Sequence, residues 1–152
     1  MVERNYRLHL IEDLRSACEQ SLDERVDRFL EVNHQYIVGN HYFAPASSEC
    51  IMLYRDGYFI SAVMVSQAVN EGIFKFVAKT NKLSYQSHKE LLEALLSDEI
   101  ISEECATASI AIWGSYRNDI HHMNPKVSDI QFQQLAKTNL QNLALIEREF
   151  FE

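Results

Sequence analysis

Tyr58-Phe59-Ile60-Ser61-Ala62-Val63-Met64-Val65-Ser66-Gln67-Ala68-Val69-Asn70-Glu71-Gly72-Ile73-Phe74-Lys75-Phe76-Val77-Ala78-Lys79 is the most apolar segment of the chain. Phe59, Ala62, Val63, Val69, Ile73, Phe76 and Val77 recur at the helical period, with Ser66 and Asn70 between them. The β-branched content favours a strand, but 22 residues at a 3.6-residue period outweigh it. Bulky residues lie nearly all round, which predicts the central helix of a bundle.

Working outward, the flanking segments also read as helices. Tyr6, Leu10, Leu14 and Cys18, with Ile11 beside them, place one helix over about 3–20. Ser21-Leu22-Asp23-Glu24 has capping-box spacing and opens a second, with Leu22, Val26, Phe29, Leu30, Val32 or Asn33, Tyr36 and Ile37, stopping at Gly39-Asn40. The two are either nearly continuous or a hairpin. Pro45 and the serine pair predict a loop over 41–48, then a short helix over about 47–55. Asp56-Gly57 is either a break or a weak point within a longer helix. Beyond the central helix, Ser87 caps a helix to about Ser97, carrying Leu91, Leu92, Leu95 and Leu96. Ser102 caps the next, which runs through Ile110 and Trp113 to the segment 117–122, where Asn124-Pro125 ends it or starts a turn. Ser128-Asp129 opens a last helix with Ile130, Leu135, Leu140, Leu143, Ile146 and Phe150. The expected architecture is an all-α, single-domain bundle of five or six helices over residues 1–152, with N-terminal helices at 3–40 before a core at about 45–152.

Composition agrees. Four Gly and two Pro in 152 residues argue against a turn-rich β fold. The formal net charge of −8 disfavours indiscriminate binding to nucleic acid or anionic membrane, and leaves room for a local cationic site. Cys18, Cys50 and Cys105 are odd in number and lack zinc spacing, as for reduced packing thiols. No segment reaches the ~20 apolar residues that span a bilayer, so the cytoplasm is the expected compartment.

The chemistry gathers in Tyr116-Arg117-Asn118-Asp119-Ile120-His121-His122-Met123-Asn124-Pro125. Arginine is a permanent cation whose planar fork suits phosphate. Histidine exchanges protons near neutral pH. On an unbroken helix, Ala106, Ile110, Trp113, Arg117 and Ile120 share one face, which aims Arg117 at a buried stripe. A cation there needs a carboxylate partner or an anionic ligand. His121 lies four residues from Arg117 on that face, whereas His122 lies roughly 140° round from it. Asp119 with the two histidines offers a weaker metal reading, because adjacent histidines cannot share a helical face. No metal and no cofactor is expected. Tyr36, Phe59, Phe74, Phe76 and Trp113 read as core, and His34, His41 and His88 have no motif around them.

Arg117-Asn118-Asp119-Ile120-His121-His122 resembles the hallmark of the HEPN superfamily, the all-α domain of many prokaryotic toxin and defence proteins. That hallmark is an arginine, often followed by a polar residue, with a histidine after four to six intervening positions. The long helix over Asp56–Lys79 and the Ile100-Ile101-Ser102-Glu103 lead-in resemble its context, over most of 45–152. The resemblance implies a metal-independent endoribonuclease, often a homodimer with facing motifs. Arg117 would hold the scissile phosphate, His122 would be general acid or base, and Asn118 would position one of them. His121 is the alternative histidine. RNA is the implied substrate, and an antitoxin or a nucleotidyltransferase the implied partner. In one toxin branch that nucleotidyltransferase modifies a tyrosine two residues after the histidine; Asn124 stands there in this chain. Some relatives keep the fold without nuclease activity, so the other reading is a non-catalytic helical module for dimerisation and protein or nucleotide binding. The enzyme requires Arg117 and a histidine converging on an accessible cleft. The module requires Arg117 neutralised by a carboxylate and the histidines dispersed.

Overall fold

The computed structural model describes residues 2–32, 43–125 and 128–151, and side chains from Asn5 onward. These residues form an all-α bundle, with seven helices of ten or more residues and one of five. They are α1 (Val2–Gln20), α2 (Leu22–Val32), α3 (Ala44–Arg55), α4 (Phe59–Thr80), α5 (His88–Ser97), α6 (Glu103–Trp113), α7 (Arg117–His121) and α8 (Phe132–Phe151). The central element is α4, packed against α3, α6, α7 and α8. Its Ala62, Val63, Val69, Ile73 and Phe74 are buried with Leu140, Leu143 and Ile146 of α8 and Ile112 of α6. No helix among the described residues is long and apolar enough to cross a membrane.

The count exceeds the expected five or six because several breaks leave weak marks in the sequence. α1 and α2 are separated by Ser21 alone. Its hydroxyl donates back to the Ala17 and Cys18 carbonyls, so the capping box is not how this junction is made. α3 begins at Ala44, inside the segment predicted as a loop, because Pro45 falls in the first turn, where a missing N–H costs nothing. α8 starts at Phe132 rather than at Ser128-Asp129. The predicted stop at Gly39-Asn40, with Tyr36, Ile37, His34 and His41, lies outside the described residues.

The largest correction concerns α6. It stops at Trp113, and the chain makes a three-residue break before α7. Gly114 caps α6, the Ser115 side chain turns into the core, and Tyr116 adopts a left-handed conformation at φ 53°. The face shared by Ala106, Ile110, Trp113, Arg117 and Ile120 therefore does not exist. Ile110 is exposed, and Cys105, Ala106, Ala108, Ser109 and Ile112 make the buried face of α6.

Four helix ends use a left-handed residue: Gly57, Lys82, Glu99 and Met123. Each carries the paired hydrogen bonds of a Schellman turn, as in Glu99 N to Leu96 O at 3.1 Å and Ile100 N to Leu95 O at 2.9 Å. A side chain at such a position costs on the order of 1 kcal/mol, offset in part by glycine's greater unfolded-state entropy. Glu99→Gly is therefore expected to stabilise the fold by roughly 0.5 kcal/mol. Urea unfolding checks this, and a lowered midpoint at unchanged slope counts against it.

Candidate functional site

α4 sends a polar stripe, Gln67, Glu71 and Lys75, out of its apolar surface at four-residue intervals. α7 lies against it, and the two helices pair rung by rung. Arg117 Nη2 donates to Glu71 Oε2 at 2.5 Å. One turn along each helix, His121 Nε2 is 3.1 Å from Gln67 Oε1. Lys75 Nζ holds the other Glu71 oxygen at 2.6 Å. Burial alone would raise the Glu71 carboxyl, but hydrogen bonds from Lys75 and Arg117 outweigh it and leave Glu71 below the usual carboxylate range.

The Gln67 rung fixes a tautomer. Gln67 Nε2 donates to the Ser115 carbonyl at 2.8 Å and to Ser115 Oγ at 2.9 Å. A carbonyl only accepts, so the amide NH2 must face Ser115 and Oε1 must face His121. His121 Nε2 therefore carries the hydrogen, and its neutral ring presents Nδ1 as the basic nitrogen. Ser115 Oγ donates in turn to Ile112 O at 2.5 Å and accepts from Asn139 Nδ2 at 3.1 Å. The polar group that breaks α6 thus anchors α7 to α4 and α8. Among the described residues no buried side-chain polar atom lacks a partner.

Arg117 is also held by its flat face. Its Cζ lies 4.1 Å from the Trp113 ring centroid. On Trp113, His88 stacks at 4.3 Å and 9°. His88 Nε2 is 2.8 Å from Ser109 Oγ, which itself donates to Asn70 Oδ1 at 3.0 Å, so His88 is the donor to Ser109. Burial is the main cause that pushes the His88 imidazole down to about 4; the Arg117 charge adds to it and the Glu71 charge opposes it.

Arg117, Asn118, Asp119, His121 and His122, with Trp113, Gly114 and Tyr116, line one open depression of about 740 Å³. The structure thus brings all four predicted site residues, Arg117, Asn118, His121 and His122, to one place. Asn118 and His122 are exposed there, and His122 forms the C-cap of α7. Asp119, part of the metal reading, accepts from Asn124 Nδ2 at 2.7 Å. No cluster of metal-ligating side chains occurs among the described residues. Across Trp113 lies a second, more apolar hollow of about 670 Å³, walled by Phe74, Tyr85, Leu91 and Ile110 with Lys75 and Lys89 at its rim.

Gln67, Glu71, His88 and Ser115 escaped the sequence reading. One signal was present: Gln67 and Glu71 are polar residues one turn apart inside the most apolar helix. Their partners across the bundle had no such signal, because pairing 46 and 54 positions apart is set by the fold. Comparison with family models, with curated proteins and with solved structures returns no match.

Proposed function

We propose that this protein is a metal-independent endoribonuclease of toxin or defence type, acting from the depression over α7. The observation that carries the reading is that Arg117, Asn118, His121 and His122 line the same open, polar depression. RNA supplies its own nucleophile. An imidazole takes the proton of a ribose 2′-hydroxyl, the 2′-oxygen bonds to phosphorus, and the bond to the 5′-oxygen breaks. The leaving 5′-oxygen takes a proton from the imidazolium or from water, and a 2′,3′-cyclic phosphate remains. Arg117 neutralises charge building on the phosphoryl oxygens. His122 is assigned the proton transfer because its position after Arg117 matches the motif that the segment resembles, with Asn118 positioning it; His121, which helical spacing favours and Gln67 orients, is the alternative. A homodimer with facing α7 segments, and an antitoxin that covers them, belong to this reading. Incubating the protein with single-stranded and structured RNA in EDTA tests it. Fragments ending in cyclic phosphate support it, and intact RNA across both substrates counts against it.

The Arg117–Glu71 pair favours a second reading, a non-catalytic module whose arginine is structural. Glu71→Gln separates the two. It removes the negative charge beside Arg117, so the nuclease reading expects RNA to bind more tightly, with KM lowered roughly fivefold to tenfold at low salt. The module reading expects no cleavage by either protein.

A further inference from the structure

We infer, on the reading of Arg117 as the phosphate site, that the apolar hollow across Trp113 from α7 holds an unpaired base of the same RNA strand, which makes single-stranded RNA the substrate class. The hollow, about 670 Å³, lies between α4, α5 and α6 and is walled by Phe74, Tyr85, Leu91 and Ile110. Its size and makeup are those of a small-ligand cavity: apolar walls with a few polar groups at the mouth. Ile110, near the end of α6, is the wall that the fold leaves uncovered. It is 54% exposed, whereas Ile112 is fully buried. One exposed aliphatic side chain means little alone. This one stands on a concave apolar surface, which a flat ring can cover.

Trp113 decides which surface the base can use. Arg117 lies on one face of the indole at 4.1 Å and His88 on the other at 4.3 Å, so only the indole edge is offered to the hollow. Tyr85 is the ring left. It is half-buried and pairs with no other aromatic ring among the described residues. Stacking on such a ring tolerates any base but requires that the base be out of a duplex. Gln86 and Ser87 stand at the mouth. Ser87 Oγ accepts from Glu90 N at 3.2 Å, which leaves its hydroxyl hydrogen for a base edge. Charge joins the hollow to the Arg117 depression. The two oxygens of Glu71 hold Lys75 and Arg117, so the cation of the rim and the cation of the site stand one carboxylate apart. Lys89, at the same rim, meets Glu93 at 3.7 Å in a pair too exposed to hold its ammonium back. Lys75, Lys89 and Arg117 against Glu71 and Asp119 give the two linings a net charge of +1, in a chain of −8. A strand running over Trp113 thus meets cations on both sides, while its base enters between Tyr85 and Ile110.

An uncleavable 2′-O-methyl RNA of about eight nucleotides, titrated into the full chain in EDTA, tests the base site apart from the chemistry. The wild type is expected to bind it roughly tenfold more tightly than the same sugar–phosphate chain without bases. Tyr85→Ala should remove most of that preference. Ile110→Ser, at an exposed position that leaves the fold intact, should reduce it roughly threefold. Neither change should alter binding of the baseless chain, and binding of a duplex should depend on neither residue. Equal binding of the two chains by the wild type overturns the proposal, as does a preference undiminished in the two variants. So does single-stranded RNA that fails to bind; the hollow then belongs to another occupant, such as an aromatic side chain of a protein partner. The nuclease reading fails separately. Binding with these preferences, but no cleavage of ordinary RNA in EDTA, would remove the chemistry and leave the base site.

Discussion

Arg117→Ala will slow metal-free RNA cleavage by roughly 10²–10³-fold, the effect of removing one preorganised donor from a transition state that builds negative charge. The fold will survive the change. The Arg117–Glu71 bridge is partly exposed, at 29% and 24% of the two side chains, and such pairs contribute about 1 kcal/mol or less. The guanidinium on Trp113 adds roughly another 0.5–1 kcal/mol. A loss of activity without loss of helicity therefore isolates the chemistry. Arg117→Lys will not restore the rate, because an ammonium cannot present the planar fork that lies on Trp113 while donating to Glu71. The two histidines separate in the same assay. His122→Ala is expected to lower the rate by about 10²–10⁴-fold and His121→Ala much less, since proton transfer is assigned to His122. The reverse order would give the chemistry to His121 Nδ1, oriented through Gln67. Arg117→Ala retaining more than a tenth of wild-type activity would remove Arg117 from the mechanism.

What the sequence made legible was decided by period, and what it hid was decided by partners. α4 was readable because 22 residues of one periodicity leave few alternatives. The Ser87 and Ser102 caps were readable because an N-cap is local: each side chain accepts from the backbone N–H three residues on. The stops were harder. Lys82, Glu99 and Met123 end helices in the left-handed region without the glycine that normally marks it. The break after Trp113 was hidden for a related reason. Gly114 is a weak signal alone, and Ser115 turns inward only because Gln67 and Asn139 wait there from 48 and 24 residues away. At the site, the cluster of Arg117, Asn118, His121 and His122 was legible because all four lie within six positions. Glu71 was not, so whether Arg117 met an anionic ligand or a carboxylate stayed open until the fold set α4 beneath α7. The stripes that α1 and α2 turn outward, Leu10 and Leu14 on one and Leu22, Val26 and Leu30 on the other, were legible as amphipathic, but periodicity does not say whether a face meets its own bundle or another molecule.

Acidification from pH 7 to pH 4.5 is expected to cost the fold about 2–3 kcal/mol through His88 alone. Its pKa falls from the ordinary 6.5 to about 4 in the folded protein, chiefly because the ring is buried. A group depressed on folding contributes stability that is fully present above its unfolded value and is lost as pH falls toward its folded value. The window is thus pH 6.5 to 4. The bonding explains the direction. The neutral ring already uses Nε2 on Ser109, so a second proton must sit on Nδ1. That places a charge between the Phe74 ring and the Trp113 ring, against which the Arg117 cation also lies. Glu71 is attractive but does not offset the burial. The carboxylates act lower. Arg55 and Arg25 hold Asp56 at about 2, against the penalty of burial, so its contribution is lost below the window; Glu71 also lies below its ordinary range and begins to lose its contribution at the window's acid end, near 4.5. Urea unfolding at pH 7 and pH 4.5, on wild type and His88→Gln, separates the terms. The variant forfeits a stacked ring and is less stable at pH 7, but it should lose far less on acidification. Equal losses in the two proteins would mean that His88 protonates without cost and that its stack on Trp113 is not what keeps it neutral. Trp113 is the single tryptophan, so its emission follows the same window. A His88 proton acquired near pH 4 would loosen the surface on which Arg117 rests, which ties the acid limit of the fold to the acid limit of the proposed site.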